Sequence, residues 1–227
     1  MNEEQRNNLM EKVQKLASEA QRNDDPTGWF EKLYIDAKGD HSQIPWAKMT
    51  PHPSLEDWLK DANLSNKKAL VIACGLGDDA EKLADLGATV TAFDISPTAI
   101  SWCNQRFQES SVNYLVADLL TLDSSWQQSF DFVFEARTIQ ALPVNIRSEV
   151  IKAIAALVSP GGTLLIVTRL RDTEDLPKGP PWAVSELELS QLHSLGFHEV
   201  SRTPYIDLNQ PDIKQARIEY QLIINSQ

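Results

Sequence analysis

The sequence contains little cysteine, no long hydrophobic run and few basic residues for its length. Its two cysteines among 227 residues suggest no disulfide framework and favour a reduced, cytoplasmic protein. The longest strongly apolar run, Ala69 to Cys74, is far shorter than the ~18 residues that a membrane-spanning helix needs. Lys and Arg number 21 against 32 Asp and Glu, so the net charge is −11. We therefore expect no membrane partner and no nucleic-acid partner.

The N-terminal region, residues 1–64, is expected to form a lid of helices and aromatic side chains. Its first twelve residues, MNEEQRNNLMEK, are polar and lack the apolar segment of a secretory signal. Residues 1–23 have apolar residues at helical spacing. Residues 24–54 contain four prolines and are expected to cover something rather than to form a regular element. A short helix is predicted from Leu55 to about Asn63.

From Lys68 onward, strand and helix patterns alternate. Strands are predicted over 69–74, 89–94, 112–116, 130–135, 163–169, 197–204 and 217–224. Helices are predicted over 78–86, 97–107, 144–158 and 185–195. This pattern predicts an α/β domain over residues 65–227, with a mostly parallel sheet, helices on both faces and an antiparallel final hairpin. Ligands of such sheets bind at the carboxyl ends of the strands.

Each of the first two strands ends on a sequence suited to nucleoside binding. Ala73, Gly75 and Gly77 follow the first strand, where glycine permits a tight turn and close approach of the backbone to a ligand. Asp94 ends the second strand, where a carboxylate can accept hydrogen bonds from both ribose hydroxyls. Asp94 could instead cap the next helix, but Ser96, which follows Ile95, suits that position better.

The third and fourth strands also end on polar residues. Asp118 could accept a hydrogen bond from an exocyclic amine, while the N–H of Leu119 could donate to a ring nitrogen, so the pair would recognise adenine. Glu135 ends the fourth strand. Four such strand ends in order predict a ligand that contains adenosine.

The charge at the start of the first domain helix bears on which adenosine ligand is bound. Ala80 stands at the third position of the dinucleotide fingerprint, which tolerates alanine, but the helix opens with Asp78 and Asp79. Two carboxylates would repel a pyrophosphate. A cationic ligand without phosphate, such as S-adenosylmethionine, is therefore favoured.

These motifs resemble those of the class I S-adenosylmethionine-dependent methyltransferases over about residues 65–225. The matching segments are residues 74–80, 94–100, 118–119 and 160–164. The resemblance implies a Rossmann-like fold with seven strands in the order 3-2-1-4-5-7-6. It also implies S-adenosylmethionine as cofactor, S-adenosylhomocysteine as product, and no metal.

A narrower resemblance is to the thiopurine and thiol (halide) methyltransferase-like branch. Pro45-Trp46-Ala47 and Gly179-Pro180-Pro181-Trp182 look like two of its motifs, which implies that Trp46 lies over cofactor and acceptor. Trp182 either walls the acceptor pocket or is plain packing. Trp29 and Tyr34 either close over the ligand or belong to the core, the latter being favoured for Tyr34.

The acceptor is less defined than the cofactor. An in-line transfer needs the acceptor ~3–3.5 Å from the methyl group in a dry pocket. A thiol, selenium, tellurium or halide acceptor needs no general base, whereas an amine or alcohol does. Arg137 could bind an anionic acceptor or could be ion-paired or solvated. Of the four histidines, His41 and His52 alone lie in the expected lid and merit a test as bases.

The leading hypothesis is thus a methyltransferase that acts on a small molecule, with a monomer favoured. The alternatives are N- or O-methylation of a small metabolite, an NAD(P)-dependent oxidoreductase, and a non-catalytic S-adenosylmethionine-binding protein. Binding of NADH would favour the oxidoreductase, and tight cofactor binding without turnover would favour the non-catalytic binding protein.

Overall fold

A computed structural model describes residues 3–177, 179–206 and 212–224 of the chain. Its α-helices are α1 Glu3–Arg22, α2 Gly28–Ala37, α3 Pro53–Trp58, α4 Asp78–Asp85, α5 Pro97–Arg106, α6 Arg147–Ala156 and α7 Glu186–Ser194. Its strands are β1 Lys68–Ile72, β2 Thr89–Asp94, β3 Asn113–Val116, β4 Phe130–Ala136, β5 Val158–Arg171, β6 Val184–Ser185, β7 Phe197–Tyr205 and β8 Gln215–Leu222. None of the described helices is long and apolar enough to cross a membrane.

The strands form one mixed sheet in the order β3-β2-β1-β4-β5-β8-β7. Strands β1 to β5 are parallel, and β8 runs antiparallel to both β5 and β7. The two-residue β6 pairs with β5 outside this path. The predicted order 3-2-1-4-5-7-6 is confirmed once this short strand, which the sequence did not predict, is left out of the numbering.

Strand β5 starts five residues earlier than predicted. Val158 already pairs with Phe130, and a register shift between Phe130 and Phe132 precedes the regular pairing that begins at Thr163. Gly161, with φ of 78°, lies in this irregular stretch. The Pro-Gly-Gly sequence that predicted a turn is therefore accommodated as an irregularity inside a longer strand.

Apolar side chains cover both faces of the sheet, as the near-continuous apolar strands predict. One face, with Leu70, Val133 and Ile166, packs against α6 and α7. The other face, with Val71 and Phe134, packs against α3 and α4.

Helix α2 was not predicted, because the prolines around it outweighed its pattern. Trp29, Leu33, Tyr34 and Ala37 are all buried and follow helical spacing within a ten-residue stretch free of proline. With α1 they form a third apolar cluster that includes Leu76 of the glycine loop and residues of α5. The N-terminal region thus packs directly on the loop expected to bind the cofactor.

Candidate active site

The loop between β1 and α4 turns through three residues with left-handed backbone. Ala73, Gly75 and Gly77 have φ of 49°, 55° and 88°. A Cβ atom on Gly77 would lie 2.5 Å from the Tyr114 hydroxyl, so only glycine fits there without displacing a neighbour. Ala73 is exposed and Gly75 is buried. The loop that the sequence predicted to approach a ligand therefore has the required tight turn.

Asp94 joins this loop to the start of α5. Its Oδ2 accepts a hydrogen bond from the Gly75 N–H at 2.9 Å and its Oδ1 accepts one from the Ser96 N–H at 3.0 Å. Ser96 caps α5, as predicted, by accepting from the Ala99 N–H at 2.9 Å. Burial raises the pKa of Asp94 to about 6. The structure thus brings Asp94, Ile95 and Ser96 next to the glycine loop, while the ribose contact itself stays a prediction.

The end of β3 lies beside the end of β2. The Ala117 N–H donates to the Asp94 carbonyl at 3.1 Å, and Asp118 Oδ1 accepts from the Leu120 N–H at 2.9 Å. Asp118 is half-buried, whereas Leu119 is buried. The side chain of Asp118 therefore shapes its own turn, and adenine recognition by Asp118 and Leu119 remains a prediction.

Glu135 is a fully buried carboxylate at the end of β4, paired in register with Ile72 of β1. Its Oε1 accepts from the backbone N–H groups of Thr138 and Ile139, the latter at 3.0 Å. Its Oε2 has no hydrogen-bond partner among the described residues. Burial raises the pKa of Glu135 to about 7. A buried carboxylate oxygen without a donor is costly, so Glu135 favours binding of a cation beside it.

Asp78 and Asp79 are engaged by protein groups, which corrects the argument from their repulsion. Asp78 forms a two-point ion pair with Arg106, with N–O distances of 3.0 and 2.7 Å. Asp79 accepts a hydrogen bond from the His52 N–H at 2.6 Å. Because Arg106 compensates Asp78 and Asp79 binds the N-terminal segment, their charges alone do not select against a pyrophosphate. The cofactor prediction must rest on other evidence.

Aromatic side chains of the N-terminal region lie against the glycine loop. Trp46 is half-buried, and its Nε1–H donates to the Tyr34 hydroxyl at 2.8 Å. From a Cβ on Gly75, the Tyr34 hydroxyl would lie at 3.4 Å and Trp46 Cδ1 at 3.7 Å. Tyr34 is therefore both a core residue, as favoured, and the group that orients Trp46 at the loop.

Glu31 fastens α2 to α5, a contact that the sequence analysis missed. Its carboxylate accepts from the Ser96 hydroxyl at 2.5 Å and from the Thr98 hydroxyl at 2.6 Å. The Thr98 N–H donates to the same carboxylate at 3.1 Å. A carboxylate at a helix N-terminus is favourable. In the sequence, Glu31 is only one polar position of α2, and that helix was itself not predicted.

Arg137 and Trp182 lie on the side of the sheet formed by the ends of β4 and β5. Arg137 follows β4 with φ of 70°, is half-buried, and donates through Nη2 to Gln215 Oε1 at 3.2 Å. Trp182 is buried, and its N–H donates to the Gln140 carbonyl at 2.7 Å. Among the described residues, no hydrogen bond or ring contact joins Trp46 to Arg137 or Trp182. The structure therefore places the three predicted acceptor residues along one edge without bringing them into contact.

A buried ion-pair network supports the backbone around Trp182. Arg147 Nη2 donates to the Trp182 carbonyl at 2.8 Å. Arg147 also binds both oxygens of Glu188 at 3.0 Å, and Glu188 binds Arg171 at 2.7 Å. Neither arginine was identified from the sequence, because their partners come from distant elements.

The histidines are bound in structural roles or exposed. The His52 Nδ1 accepts from the Ser54 N–H at 3.1 Å and so caps α3. His193 Nδ1 lies 3.2 Å from the Phe197 carbonyl. His41 and His198 are exposed. His52 also lies beside the start of α4, because its backbone N–H donates to Asp79.

Comparison with known proteins identifies the family. The family model for thiopurine S-methyltransferase matches residues 34–223. The chain belongs to this family. It is 28% identical over 162 residues to a probable thiol methyltransferase 2 of Arabidopsis thaliana, covering 69% of this chain and 70% of the relative. It is 29% identical over 182 residues to a thiopurine S-methyltransferase of Vibrio cholerae, covering 74% and 80%.

Solved structures agree with the predicted fold. A Burkholderia thailandensis 1,6-didemethyltoxoflavin-N1-methyltransferase, solved with S-adenosylhomocysteine, superposes with a TM-score of 0.67. The match covers 86% of this chain and 87% of that chain at 17% identity. The Rossmann-like class I methyltransferase fold is therefore confirmed. The family match and the curated relatives show that the protein is an S-adenosylmethionine-dependent methyltransferase.

One observation of the structure itself supports the fit between these residues and S-adenosylmethionine. The unpartnered Glu135 Oε2, next to the end of β1, lacks a donor or a cation, and S-adenosylmethionine is a cation that carries an ammonium group. The residues predicted to hold it all lie at this edge of the sheet or on the segment covering it. They are Trp46, Ala73, Gly75, Gly77, Asp94, Ile95, Ser96, Asp118, Leu119 and Glu135.

Proposed function

We propose that this methyltransferase transfers a methyl group to the sulfur of a small thiol, or to a selenium, tellurium or halide centre of similar reactivity. The carrying observation is the family match, which begins at Tyr34 and so includes the aromatic cover as well as the sheet. The His52 ring caps α3 and His41 is exposed, which supports an acceptor that needs no general base. A thiol with pKa near ~8.5 is already partly ionised at neutral pH and needs no general base.

Each site residue has a proposed part in this reaction. When bound, the cofactor supplies a methyl group on a positively charged sulfur. Asp94 would accept from the ribose hydroxyls while it keeps the glycine loop in place, and Glu135 Oε2 would accept from the ammonium group. Trp46, held by Tyr34, would exclude water above the loop. Residues 1–64 would act together as the lid.

The first experiment is a calorimetric titration of the purified protein with S-adenosylhomocysteine and, in parallel, with NADH. We expect micromolar binding of S-adenosylhomocysteine alone. An acceptor panel of thiols, halides, tellurite, amines and phenols then follows, with methylated products detected by mass spectrometry. Turnover of thiols supports the proposal, and turnover of amines or phenols alone overturns it.

A second candidate function, N- or O-methylation of a small metabolite, is favoured by one observation. Glu135 has a pKa raised to about 7 and an unpartnered oxygen, and a general base works best with a pKa near the operating pH. In that case turnover of an amine or phenol would fall as Glu135 is protonated, and Glu135→Gln would remove this pH dependence. For thiols, the pH profile would instead follow the ionisation of the thiol.

We also propose that the protein is a monomer in the reducing cytoplasm. Its cysteines, Cys74 and Cys103, are both free. Light scattering after size-exclusion chromatography would test the monomer, and a mass near twice the 25.5 kDa of the chain would refute it.

A further inference from the structure

Arg137 differs from five other arginines of the domain, each of which has an acidic partner. Arg106, Arg147, Arg171, Arg202 and Arg217 each form an ion pair. Among the described residues, no carboxylate lies within ion-pair distance of Arg137, whose hydrogen bond to a side chain goes to the neutral Gln215. Although the chain has 32 acidic residues, the half-buried Arg137 is hydrogen-bonded to a neutral amide and not to a carboxylate.

The polar groups around Arg137 are also incompletely satisfied. Arg137 Nε is buried without a hydrogen-bond partner among the described residues, which is also true of Nε in the ion-paired Arg147 and Arg217. Gln215 Nε2 lacks a partner as well. The Gln215 side chain belongs to a residue that is only 3% exposed. Buried donors without acceptors are costly. Both groups are donors, so the missing partner is an acceptor.

Further positive charge lies on the same face of the sheet. Arg169 of β5 is directly opposite Gln215 in the β5–β8 register, and cross-strand partners share a face. Arg217 is two residues along β8 and therefore also shares it. The acid that pairs with Arg217 is Asp57, whose side chain is half exposed. A cavity of about 150 Å³ lies beside Arg217, between the start of α3 and the β7–β8 hairpin.

We propose that Arg137 and Gln215 form a subsite for an anionic group, so that the preferred acceptor is a small thiol that carries a carboxylate. This inference rests on the proposed function, because it names the class of acceptor for that same site. An acceptor carboxylate would take hydrogen bonds from Arg137 and Gln215 Nε2. Arg137 directly follows β4, and Gln215 of β8 is paired with Arg169 near the end of β5.

The test compares two thiol acids, 3-mercaptopropionate and 4-mercaptobenzoate, each with its own methyl ester. The two spacers sample two distances from sulfur to carboxylate. With kcat/KM expressed per thiolate, we expect at least one acid to exceed its ester tenfold or more, which is about 1.4 kcal/mol. Equal values for acid and ester in both pairs would overturn the proposal.

Two variants and one control locate the effect. Arg137→Gln should bring the acid-to-ester ratio towards one. Gln215→Glu supplies the carboxylate that Arg137 lacks, so it should abolish the ratio while preserving the shape of the side chain. Arg202→Gln removes an arginine that is paired with Glu186 and Glu199 and should keep the wild-type ratio. A ratio that survives both Arg137→Gln and Gln215→Glu would refute the assignment.

A binding measurement separates this inference from the proposed function. If neither acid nor ester is methylated, thiol methylation by this protein is refuted for this acceptor class. The subsite is then decided by titrating the protein, saturated with S-adenosylhomocysteine, with 4-mercaptobenzoate and its ester. Tenfold tighter binding of the acid, lost in Gln215→Glu, supports the subsite, and equal binding overturns it.

Discussion

Replacement of Gly77 by alanine offers a quantitative test of how the glycine loop is packed. Two costs are expected. Alanine at φ of 88° costs about 1–2 kcal/mol, because the left-handed region is disfavoured for residues with a Cβ. The new methyl group would also lie 2.5 Å from the Tyr114 hydroxyl and 3.2 Å from Cys103 Sγ, and overpacking typically costs about 1–3 kcal/mol.

Gly39 provides a matched control for the backbone cost. Its φ is 89°, and a Cβ there meets nothing within 4 Å. Gly39→Ala should therefore lower the free energy of unfolding by about 1–2 kcal/mol, while Gly77→Ala should lower it by about 2–5 kcal/mol. Urea unfolding of both variants measures the difference. Equal destabilisation within about 0.5 kcal/mol would show that Tyr114 moves aside without cost and would refute the packing argument.

A double-mutant cycle assigns the excess cost to Tyr114. The Tyr114 hydroxyl lies 2.7 Å from Glu81 Oε1 and 3.3 Å from the Gly77 carbonyl, so Tyr114→Phe alone should cost about 1 kcal/mol. In the Gly77→Ala background the same change also removes the closest clash. Tyr114→Phe should then be neutral or stabilising, with a coupling energy of at least about 1 kcal/mol. Strict additivity would place the cost elsewhere.

Three further predictions concern the cofactor site. Asp94→Ala should weaken S-adenosylhomocysteine binding by about 1.5–3 kcal/mol, measured by calorimetry; unchanged affinity would remove Asp94 from the site. Tyr34→Phe deletes the hydrogen bond to Trp46 and should raise the Kd for S-adenosylhomocysteine about three- to tenfold. Trp46→Ala should lower both turnover and cofactor retention. If neither Trp46→Ala effect is seen, the lid assignment is wrong. Because the pKa of Glu135 is raised in the folded state, its contribution to stability is greatest below its unfolded pKa and declines as pH rises towards about 7. Glu135→Gln should therefore remove up to about 3 kcal/mol of the fall in unfolding free energy between pH 4.5 and 8, and a pH profile that matches wild type would contradict the buried carboxylate.

The sheet could be predicted because its signal is local. The inner parallel strands are short apolar runs; β1 ends shortly before Gly75, and β2 ends on Asp94. Burial on both faces demands such runs, so the pattern cannot be lost without exposing the core. The strand order, by contrast, was implied by the resemblance to the class I methyltransferases, and the winding rules for βα units agree with it. The start of β5 was missed because the Pro-Gly-Gly sequence is typical of a turn.

The N-terminal cover was predicted only as a region, because its contacts are long-range. Glu31 meets Ser96 and Thr98 from 65 or more positions away in sequence, and the partner of Trp46 is Tyr34 across twelve positions. Nothing in the local pattern of a glutamate or a tyrosine specifies such a partner. Aromatic content indicated that this segment covers something, and only the fold shows that it covers the glycine loop.

The electrostatic argument from the sequence was incomplete at Asp78 for a related reason. Charge counted along the chain omits the cation that folding brings alongside, here Arg106 from the end of α5. Arg137 is the opposite case, because folding places the neutral Gln215 beside it rather than a carboxylate. A charged residue becomes evidence about a ligand only after its protein partners are known.

By that criterion, the proposed cofactor site and the proposed acceptor site each contain buried polar atoms without partners, an acceptor in the first and donors in the second. At β4, Glu135 is a buried carboxylate with one oxygen unsatisfied, which suits the cationic cofactor. Two residues further on, Arg137 Nε is a buried donor without an acceptor, and so is Gln215 Nε2 of β8, which suits an anionic substrate. Folding alone does not satisfy either group, and leaving buried polar atoms unpaired reduces stability. Both residues with unpartnered buried atoms, Glu135 and Arg137, lie within three residues of the chain, so we expect the protein to become more stable when both ligands bind. Thermal unfolding with S-adenosylhomocysteine and a thiol acid together should show this gain in stability.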